Sequence, residues 1–512
     1  MDKNRFNKQI GSVTAATLIS RILGYIRDML IAYMFGAHFI ADAFYAAYRI
    51  PNLFRRLFGE GSVSASFVPV FTEYNEIKSR DETQKLLSVT FTMLLIIVTV
   101  ITGLGMVFSE QITRLIATGF TATPEKMNLA ISLTRIMFPY FLFVSLAALM
   151  LGVLNSLRRF FLPALASSLL NVSEILFILI FAGMLVNPVN QVKWLAVSVV
   201  VGGFGQYIVQ QIAVIKQGFR FRLKWDLSHP GLRKIFFLII PVMVGFSVDQ
   251  INELVNQIFA SFLEHGSIAV LYYSNRIMQF PLALFGLSVT TVALPLMSAN
   301  VANNQIDKMK ETLNFSLRMI CFMLIPSTVG LVILGLPIIQ VLFEHGKFGA
   351  DASLKTYYTL SAYSLGLAAY GMSKIFASAF YSFKETKVPV RTAVICLLLN
   401  VALNFLLVKR FEVAGLAMSA SISSWANAIL LGYFLHKRIG KIGARQVIET
   451  FVKVLLASVI MGITVFLLLQ VNYPYRALLL LVPLAAGILV YFLMCMLLKI
   501  EEYKSILRIT SV

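Results

Sequence analysis

Residues 42–61 read Asp42-Ala-Phe-Tyr45-Ala-Ala-Tyr48-Arg49-Ile-Pro51-Asn-Leu-Phe54-Arg55-Arg56-Leu57-Phe-Gly59-Glu60-Gly61. The stretch is apolar enough to be a membrane-crossing helix, yet Asp42, Arg49 and Arg56 recur at heptad spacing and so share one face. Pro51 removes a backbone donor and predicts a kink. Gly59 and Gly61 permit a bend or a close helix contact, and Arg56 and Glu60 stand four apart as an ion pair.

The same conflict between charge and apolar surroundings runs through the chain. Arg21, Arg27, Arg49, Arg55, Arg56, Arg135, Arg276, Arg318, Lys374 and Lys453 all sit in otherwise apolar segments. Each costs about 2.5–3.5 kcal/mol at a helix centre on the insertion scale. Such charges must face a wet cavity, meet partners or reach an interface. Acids in the same segments are fewer, namely Asp28, Asp42, Glu60, Glu174, Asp249 and Glu253. The excess is positive, which points to a cationic pocket and an anionic cargo.

Composition sets the class. The chain of 512 residues is 58% hydrophobic and only 13% charged, against about 45–50% and about 25% in soluble domains. About fourteen apolar stretches are each long enough to cross a roughly 30 Å hydrocarbon core. They include 40–70, 127–154, 353–382, 389–410 and 413–435. Continuous runs of this length predict helices rather than alternating barrel strands. The expected fold is an all-α polytopic membrane protein.

The net charge of +20 follows topology. Basic residues gather at alternate loops, as in Lys216, Arg220, Arg222, Lys224, Arg233 and Lys234. With both termini cytoplasmic, about 26 Lys/Arg fall inside and about 8 outside, the positive-inside pattern. Nucleic acid is not the partner this charge implies. No cleavable signal is expected, because the first apolar run holds Arg21, Arg27 and Asp28. Cys321, Cys396 and Cys495 lie in apolar helices and suit packing.

The halves echo each other. Tyr45, Arg49, Ile50, Leu57, Phe58 and Gly59 match Tyr272, Arg276, Ile277, Leu284, Phe285 and Gly286 at an offset of 227. Ser156, Arg158 and Pro163 match Ser382, Lys384 and Pro389 at 226. Six helices between matching positions give both halves one orientation, a parallel repeat about an axis along the membrane normal. The expected divisions are an N-terminal lobe at 1–222 (helices 1–6), a C-terminal lobe at 223–440 (helices 7–12), and two further helices, 13 and 14, at 441–512. Transporters built from repeats bind cargo near the midplane and rock to alternate access.

Helix 1 adds Ser20, Arg21, Arg27 and Asp28. Arg21 and Asp28 share a face, and Arg27 is expected to point away from its neighbour Asp28. Asp28 and Asp42 are alternatively structural counter-ions of Arg21 and Arg49. Helix 7 presents Asp249, Asn252, Glu253 and Asn256 on one polar face, and helix 8 offers Asn275, Arg276 and Gln279. Arginine suits phosphate because its planar fork binds two oxygens and keeps its charge when buried. No P-loop, zinc spacing or nucleophile elbow is present. The expectation is therefore a transporter without enzymatic activity, bound metal or cofactor, driven by an ion gradient or the membrane potential.

The run Ser20-Arg21-Ile-Leu-Gly24-Tyr-Ile-Arg27-Asp28, then Asp42-Ala-Phe, then the helix 2 stretch through Pro69 closely resembles the MurJ (MviN) family within the MOP exporter superfamily. Tyr272-Tyr-Ser-Asn-Arg276 and Phe343-Glu-His-Gly-Lys-Phe348 extend the resemblance along essentially the whole chain. It implies a lipid II flippase of the bacterial inner membrane, serving peptidoglycan synthesis and cell shape. It also implies two lobes around a cationic cavity. Arg21, Arg27, Arg55 and Arg276 correspond to arginines around the cargo's headgroup and pyrophosphate. Ser20, Asp28, Asp42, Arg56 and Glu60 correspond to other functional positions, and helices 13 and 14 to a groove for the polyprenyl tail. A monomer is expected, with partners in the elongation and division machinery. Where some relatives carry acids, this chain has Asn275, Gln279, Asn256 and Asn404. Acid gating and sodium coupling at those positions are therefore not carried over. The alternatives are a flippase for another polyprenyl-linked oligosaccharide, such as an O-antigen unit, and a cation or drug antiporter, which would need an acidic, aromatic pocket.

Overall fold

The computed structural model describes residues 3–57 and 63–504, all of them helix, turn or short connection. Phe58, Gly59, Glu60 and Gly61 lie outside the described residues, as does the side chain of Asp249. The chain forms two compact units, Met1–Ile268 and Ala269–Val512.

The first unit comprises α1 (Lys3–Phe35), α2 (Phe39–Phe54), α3 (Val63–Ile77), α4 (Arg80–Val107), α5 (Ser109–Ile116), α6 (Pro124–Met137), α7 (Pro139–Ser156), α8 (Phe161–Ala166), α9 (Leu169–Phe181), α10 (Pro188–Lys216) and α11 (Pro230–Ser261). Local sequence starts several of them. The Glu82 amide donates to Ser79 Oγ at 3.3 Å, with Asp81 and Glu82 in the first turn of α4. Asn187 caps α10 ahead of Pro188, accepting from the Val189 amide at 2.8 Å. The apolar run 127–154 is two helices, because Pro139 opens α7 where α6 ends. In the run 40–70, α2 passes after Phe54 into a π turn at 55–57, and α3 begins at Val63. Phe67, Phe71, Phe141, Met150 and Phe219 form the core of this unit. Packing there is tight enough that a Cβ on Gly202 would lie 2.7 Å from the Leu170 backbone. The repeat counts α11 with the second half, but it packs here, against α3.

The second unit comprises α12 (Ser267–Pro281), α13 (Leu287–Ala302), α14 (Ile306–Leu342), α15 (Ala350–Ser364), α16 (Leu367–Ser382), α17 (Lys387–Ile439), α18 (Ala444–Leu469) and α19 (Arg476–Leu497). α17 is two helices joined at Glu412, whose φ of 49° is not helical. The break falls between the stretches 389–410 and 413–435 read from the sequence. The helices that lie outside the repeat, α18 and α19, pack on α14. Tyr491 donates to the Phe322 carbonyl at 2.6 Å, and Asn314 donates to the Ile442 and Gly443 carbonyls at 3.1 and 2.9 Å. Arg318 meets Glu502 at 2.5 Å and Glu501 at 3.5 Å.

The repeat is visible in the backbone. After α2 the helix widens into a π turn at 55–57, and α12 is followed by a π turn at Leu282–Gly286. Residues 55–57 plus the offset of 227 are 282–284. The prolines near the two sites do not correspond, since Pro51 and Pro281 stand at different repeat positions. The widening therefore belongs to the repeat and not to one proline. At the second match, Arg158 and Lys384 both adopt left-handed backbone, with φ of 59° and 57°. Both follow the same helix ending, with Arg159 bonded to the Leu154 carbonyl at 2.8 Å and Glu385 to the Phe380 carbonyl at 3.1 Å. Glycine adopts this conformation without the side-chain clash. Arg158→Gly and Lys384→Gly are each expected to stabilise the protein by about 0.5–1 kcal/mol, the left-handed cost less glycine's entropy. A rise of the thermal midpoint in detergent checks this; a fall would mean that the basic side chains stabilise the native state by more than the strain.

Among the described residues, nine helical runs are long and apolar enough to cross a membrane. α1, with Arg21, Arg27 and Asp28, and the short α2 are not among them. Large apolar side chains such as Leu456, Phe466, Leu481 and Leu489 face outward, as helices in hydrocarbon require. The chain is an all-α, multi-pass membrane protein.

Candidate functional site

The first unit gathers its buried charges into three clusters. In the first, α1 meets α9. Arg27 and Asp28 are 6% and 0% exposed, and the Arg27 guanidinium donates to Asp28 Oδ1 from Nη2 at 2.6 Å and from Nε at 3.0 Å. Its Nη1 donates to Asn171 Oδ1 at 3.1 Å and lies 3.6 Å from Glu174 Oε1. The expectation that Arg27 points away from Asp28 is corrected. A long, flexible side chain folds back on its neighbour when burial makes an unpaired carboxylate costly. Arg21, on the same helix, is half-buried and has no side-chain partner among the described residues. Asp28 is therefore the counter-ion of Arg27, not of Arg21. Ser20 stands beside the cluster, its Oγ 3.4 Å from Ser167 Oγ and its carbonyl held by Asn171 at 3.1 Å.

In the second cluster, α2 meets α11. Glu253 accepts from Arg49 Nη1 on Oε2 at 2.5 Å and from Arg56 Nη1 on Oε1 at 3.1 Å. Gln257 adds a bond to Arg49 Nε at 3.0 Å. The heptad spacing of Arg49 and Arg56 brings both to one carboxylate. Arg55 points elsewhere, with Nε donating to Asn52 Oδ1 at 3.0 Å.

The third cluster holds Asp42. Spacing placed Asp42 in one stripe with Arg49, and a structural reading made it that arginine's counter-ion. Instead Asp42 is fully buried and accepts on Oδ2 from Lys126 Nζ at 2.7 Å and from the Gly266 amide at 2.7 Å. Lys126 is itself 3% exposed, lies 4.0 Å over the Phe120 ring and reaches His265 Nδ1 at 3.5 Å. Sequence reading passed over Lys126, because Pro124-Glu-Lys-Met looks like a solvated helix start. Nothing local signals that α2 will bury it.

Summed over the first two clusters, Arg21, Arg27, Arg49, Arg55 and Arg56 face Asp28, Glu174 and Glu253. Among the described residues, and with these groups ionised, the balance is positive, as suits an anion; Glu60 and the Asp249 side chain lie outside that sum. In the second unit Arg276 of α12 is half-buried. Beside it the Gln279 amide donates to Asn275 Oδ1, a bond between two neutral residues. Elsewhere Arg135 donates to Ser109 Oγ at 3.1 Å and Lys453 meets Glu449 at 2.9 Å. Among the described residues no group of His, Cys, Asp and Glu is arranged to hold a metal ion.

Comparison with known proteins gives the family of the chain. The family described as "Lipid II flippase MurJ" matches residues 31–486. A probable lipid II flippase MurJ of Vibrio cholerae is 38% identical over 431 residues, covering 83% of this chain and 82% of that one. One from Buchnera aphidicola subsp. Schizaphis graminum is 37% identical over 431 residues, covering 84% and 83%. A solved structure, "Lipid II flippase MurJ, inward closed conformation", superposes with a TM-score of 0.80 at 29% identity, covering 94% of this chain and 97% of that one. An inward-facing MATE multidrug transporter of the MOP superfamily shares the fold, with a TM-score of 0.68 at 14% identity over 84% of this chain and 98% of that one. With a match over most of its length and relatives above one-third identity, this chain belongs to the MurJ lipid II flippase family.

Proposed function

We propose that the protein flips lipid II, the undecaprenyl-pyrophosphate-linked peptidoglycan precursor, from the cytoplasmic to the outer leaflet by alternating access. The observation that carries this reading is the arginine set of α1, α2 and the turn after it, with its positive excess among the described residues, in a chain of this family. A pyrophosphate cannot enter hydrocarbon uncompensated. Arg21, Arg27, Arg55 and Arg276 are its ligands in this proposal. Arg21 has no side-chain partner among the described residues for the cargo to displace. Arg27 first has to exchange Asp28 and Asn171 for the cargo, so cargo entry and rearrangement of α1 against α9 are coupled. Glu253 holds α2 to α11 through Arg49 and Arg56, and an anion competing for those arginines would loosen that joint.

Helix 2, with Pro51 and the π turn, is the proposed moving element, and Glu60 follows it in sequence. The lobes 1–222 and 223–440 are the proposed rocking bodies, and α18 and α19 the proposed seat of the polyprenyl tail. Transport draws on the membrane potential or an ion gradient. The protein works as a monomer without enzymatic activity, in the bacterial inner membrane with both termini cytoplasmic. Its partners are in the cell-wall elongation and division machinery. A flippase for another polyprenyl-linked glycan shares this physics, and family membership favours lipid II.

The test is rescue of a bacterium depleted of its own lipid II flippase, with outer-leaflet lipid II assayed in the living cells. Restored growth with exposed lipid II is expected. Well-accumulated protein without exposed lipid II would overturn the cargo assignment.

A further inference from the structure

The joint in α17 is a built turn. Glu412 adopts left-handed backbone at φ 49°, and a Cβ on Gly415 would lie 2.6 Å from the Leu407 carbonyl oxygen. Only glycine lets the chain double back so closely. The turn holds Lys409, Arg410, Phe411 and Glu412 at the surface. No ion pair involves Lys409, Arg410 or Glu412 among the described residues. With cytoplasmic termini, as proposed above, this turn faces the outside, where adjacent basic residues run against the positive-inside tendency. Their presence there asks for a compensating anion.

Beside the turn lies an open crevice of 410 Å³, walled by Val332, Tyr358, Ser361, Leu365, Phe411 and Ala414. It is apolar, and Tyr358 and Leu365 expose more than half their surface beside it. The Arg410 guanidinium stands 5.7 Å over the Phe411 ring, so the cation borders the crevice wall. The hydroxyl of Ser361, a residue of the crevice wall, is buried and has no hydrogen-bond partner among the described residues. Ser364 on the same helix, by contrast, donates to the Leu360 carbonyl at 2.7 Å.

We propose that this is a binding site for an anionic diacyl phospholipid of the outer leaflet. One chain lies in the α14–α15–α17 crevice, whose volume falls in the range of about 300–1,000 Å³ typical of single-ligand sites. The phosphodiester sits on Lys409 and Arg410. Two bases against Glu412 leave one net positive charge, which matches a monoanionic phosphodiester rather than a pyrophosphate. Neither α18, α19 nor the arginine set contributes a residue to the crevice wall, and both the leaflet and the unusual placing of the two bases rest on the proposed orientation.

The test uses the full-length protein in nanodiscs containing phosphatidylglycerol or phosphatidylcholine with a diazirine in the acyl chain. Cross-linked peptides are mapped by mass spectrometry. Peptides spanning 358–365 and 411–418 should be labelled at least about tenfold more by phosphatidylglycerol, since each basic residue near the surface contributes about fivefold. Lys409→Gln with Arg410→Gln should reduce labelling to the phosphatidylcholine level, and Ala414→Trp should remove it by filling the crevice. Equal labelling by both lipids, or labelling unchanged by Ala414→Trp, overturns the site. Displacement of the label by a polyprenyl-diphosphate glycan at low molar ratio overturns the phospholipid as its occupant. In whole cells, Arg410→Cys should react with a membrane-impermeant maleimide over a background kept low by the buried Cys321, Cys396 and Cys495. Failure to react would overturn the outer-leaflet assignment, and with it the proposed orientation, while the cross-linking result stands apart.

Discussion

Lys126→Met should be among the most destabilising single substitutions in this chain. It leaves Asp42, fully buried, with the Gly266 amide but without its cation. Breaking a buried pair by removing one partner costs about 3–5 kcal/mol, because the remaining charge stays desolvated. The measurement is the thermal midpoint and the monodisperse fraction of a fluorescent fusion in detergent. Lys126→Met should lower both sharply, and so should Asp42→Ala. The pair Asp42→Asn with Lys126→Met should recover most of the loss, because replacing both charges at once is often neutral. Lys126→Met as stable as the parent would show that the contact contributes little to the fold. Full recovery of stability without recovery of growth would place Asp42 and Lys126 in the transport cycle as well.

The second large effect separates two arginines that the sequence presents as equals. Arg21→Ala should accumulate normally and fail to support growth, since Arg21 is half-buried and binds no other side chain among the described residues. Arg27→Ala should accumulate poorly, because Asp28 and Glu174, 0% and 1% exposed, lose their shared guanidinium; the expected cost is again about 3–5 kcal/mol. Adding Asp28→Asn and Glu174→Gln to Arg27→Ala should restore accumulation but not growth. The readouts are membrane abundance and complementation of a depleted strain, taken side by side. If Arg21→Ala and the triple variant both support growth like the parent, the cationic-site proposal fails.

These contrasts mark what could be read in advance. The heptad of Arg49 and Arg56 is a local regularity, and both side chains reach Glu253. The match of Arg158 to Lys384 is likewise local, and the two residues share one left-handed backbone. The partners of Asp42 and Arg27 are not local. Lys126 is 84 residues from Asp42, and Asn171 is 144 from Arg27. Spacing along one helix ranks which side chains share its face, but it carries no information about which other helix will cover that face.

By itself, the sequence determined the class of this protein, its repeat and the sign of its buried charge. Hydropathy, loop charge and internal offset are summed along the chain and survive any arrangement of the helices. Only the tertiary structure decided which charges are already neutralised. It closed Asp42 on Lys126, set Arg27 between two acids, joined Arg49 and Arg56 through Glu253 and left Arg21 without a side-chain partner among the described residues. The physical reason is the steep distance dependence of ion pairing in a medium with little water. There a contact of about 3 Å fixes a charge's role, and contacts between distant helices exist only once those helices have packed.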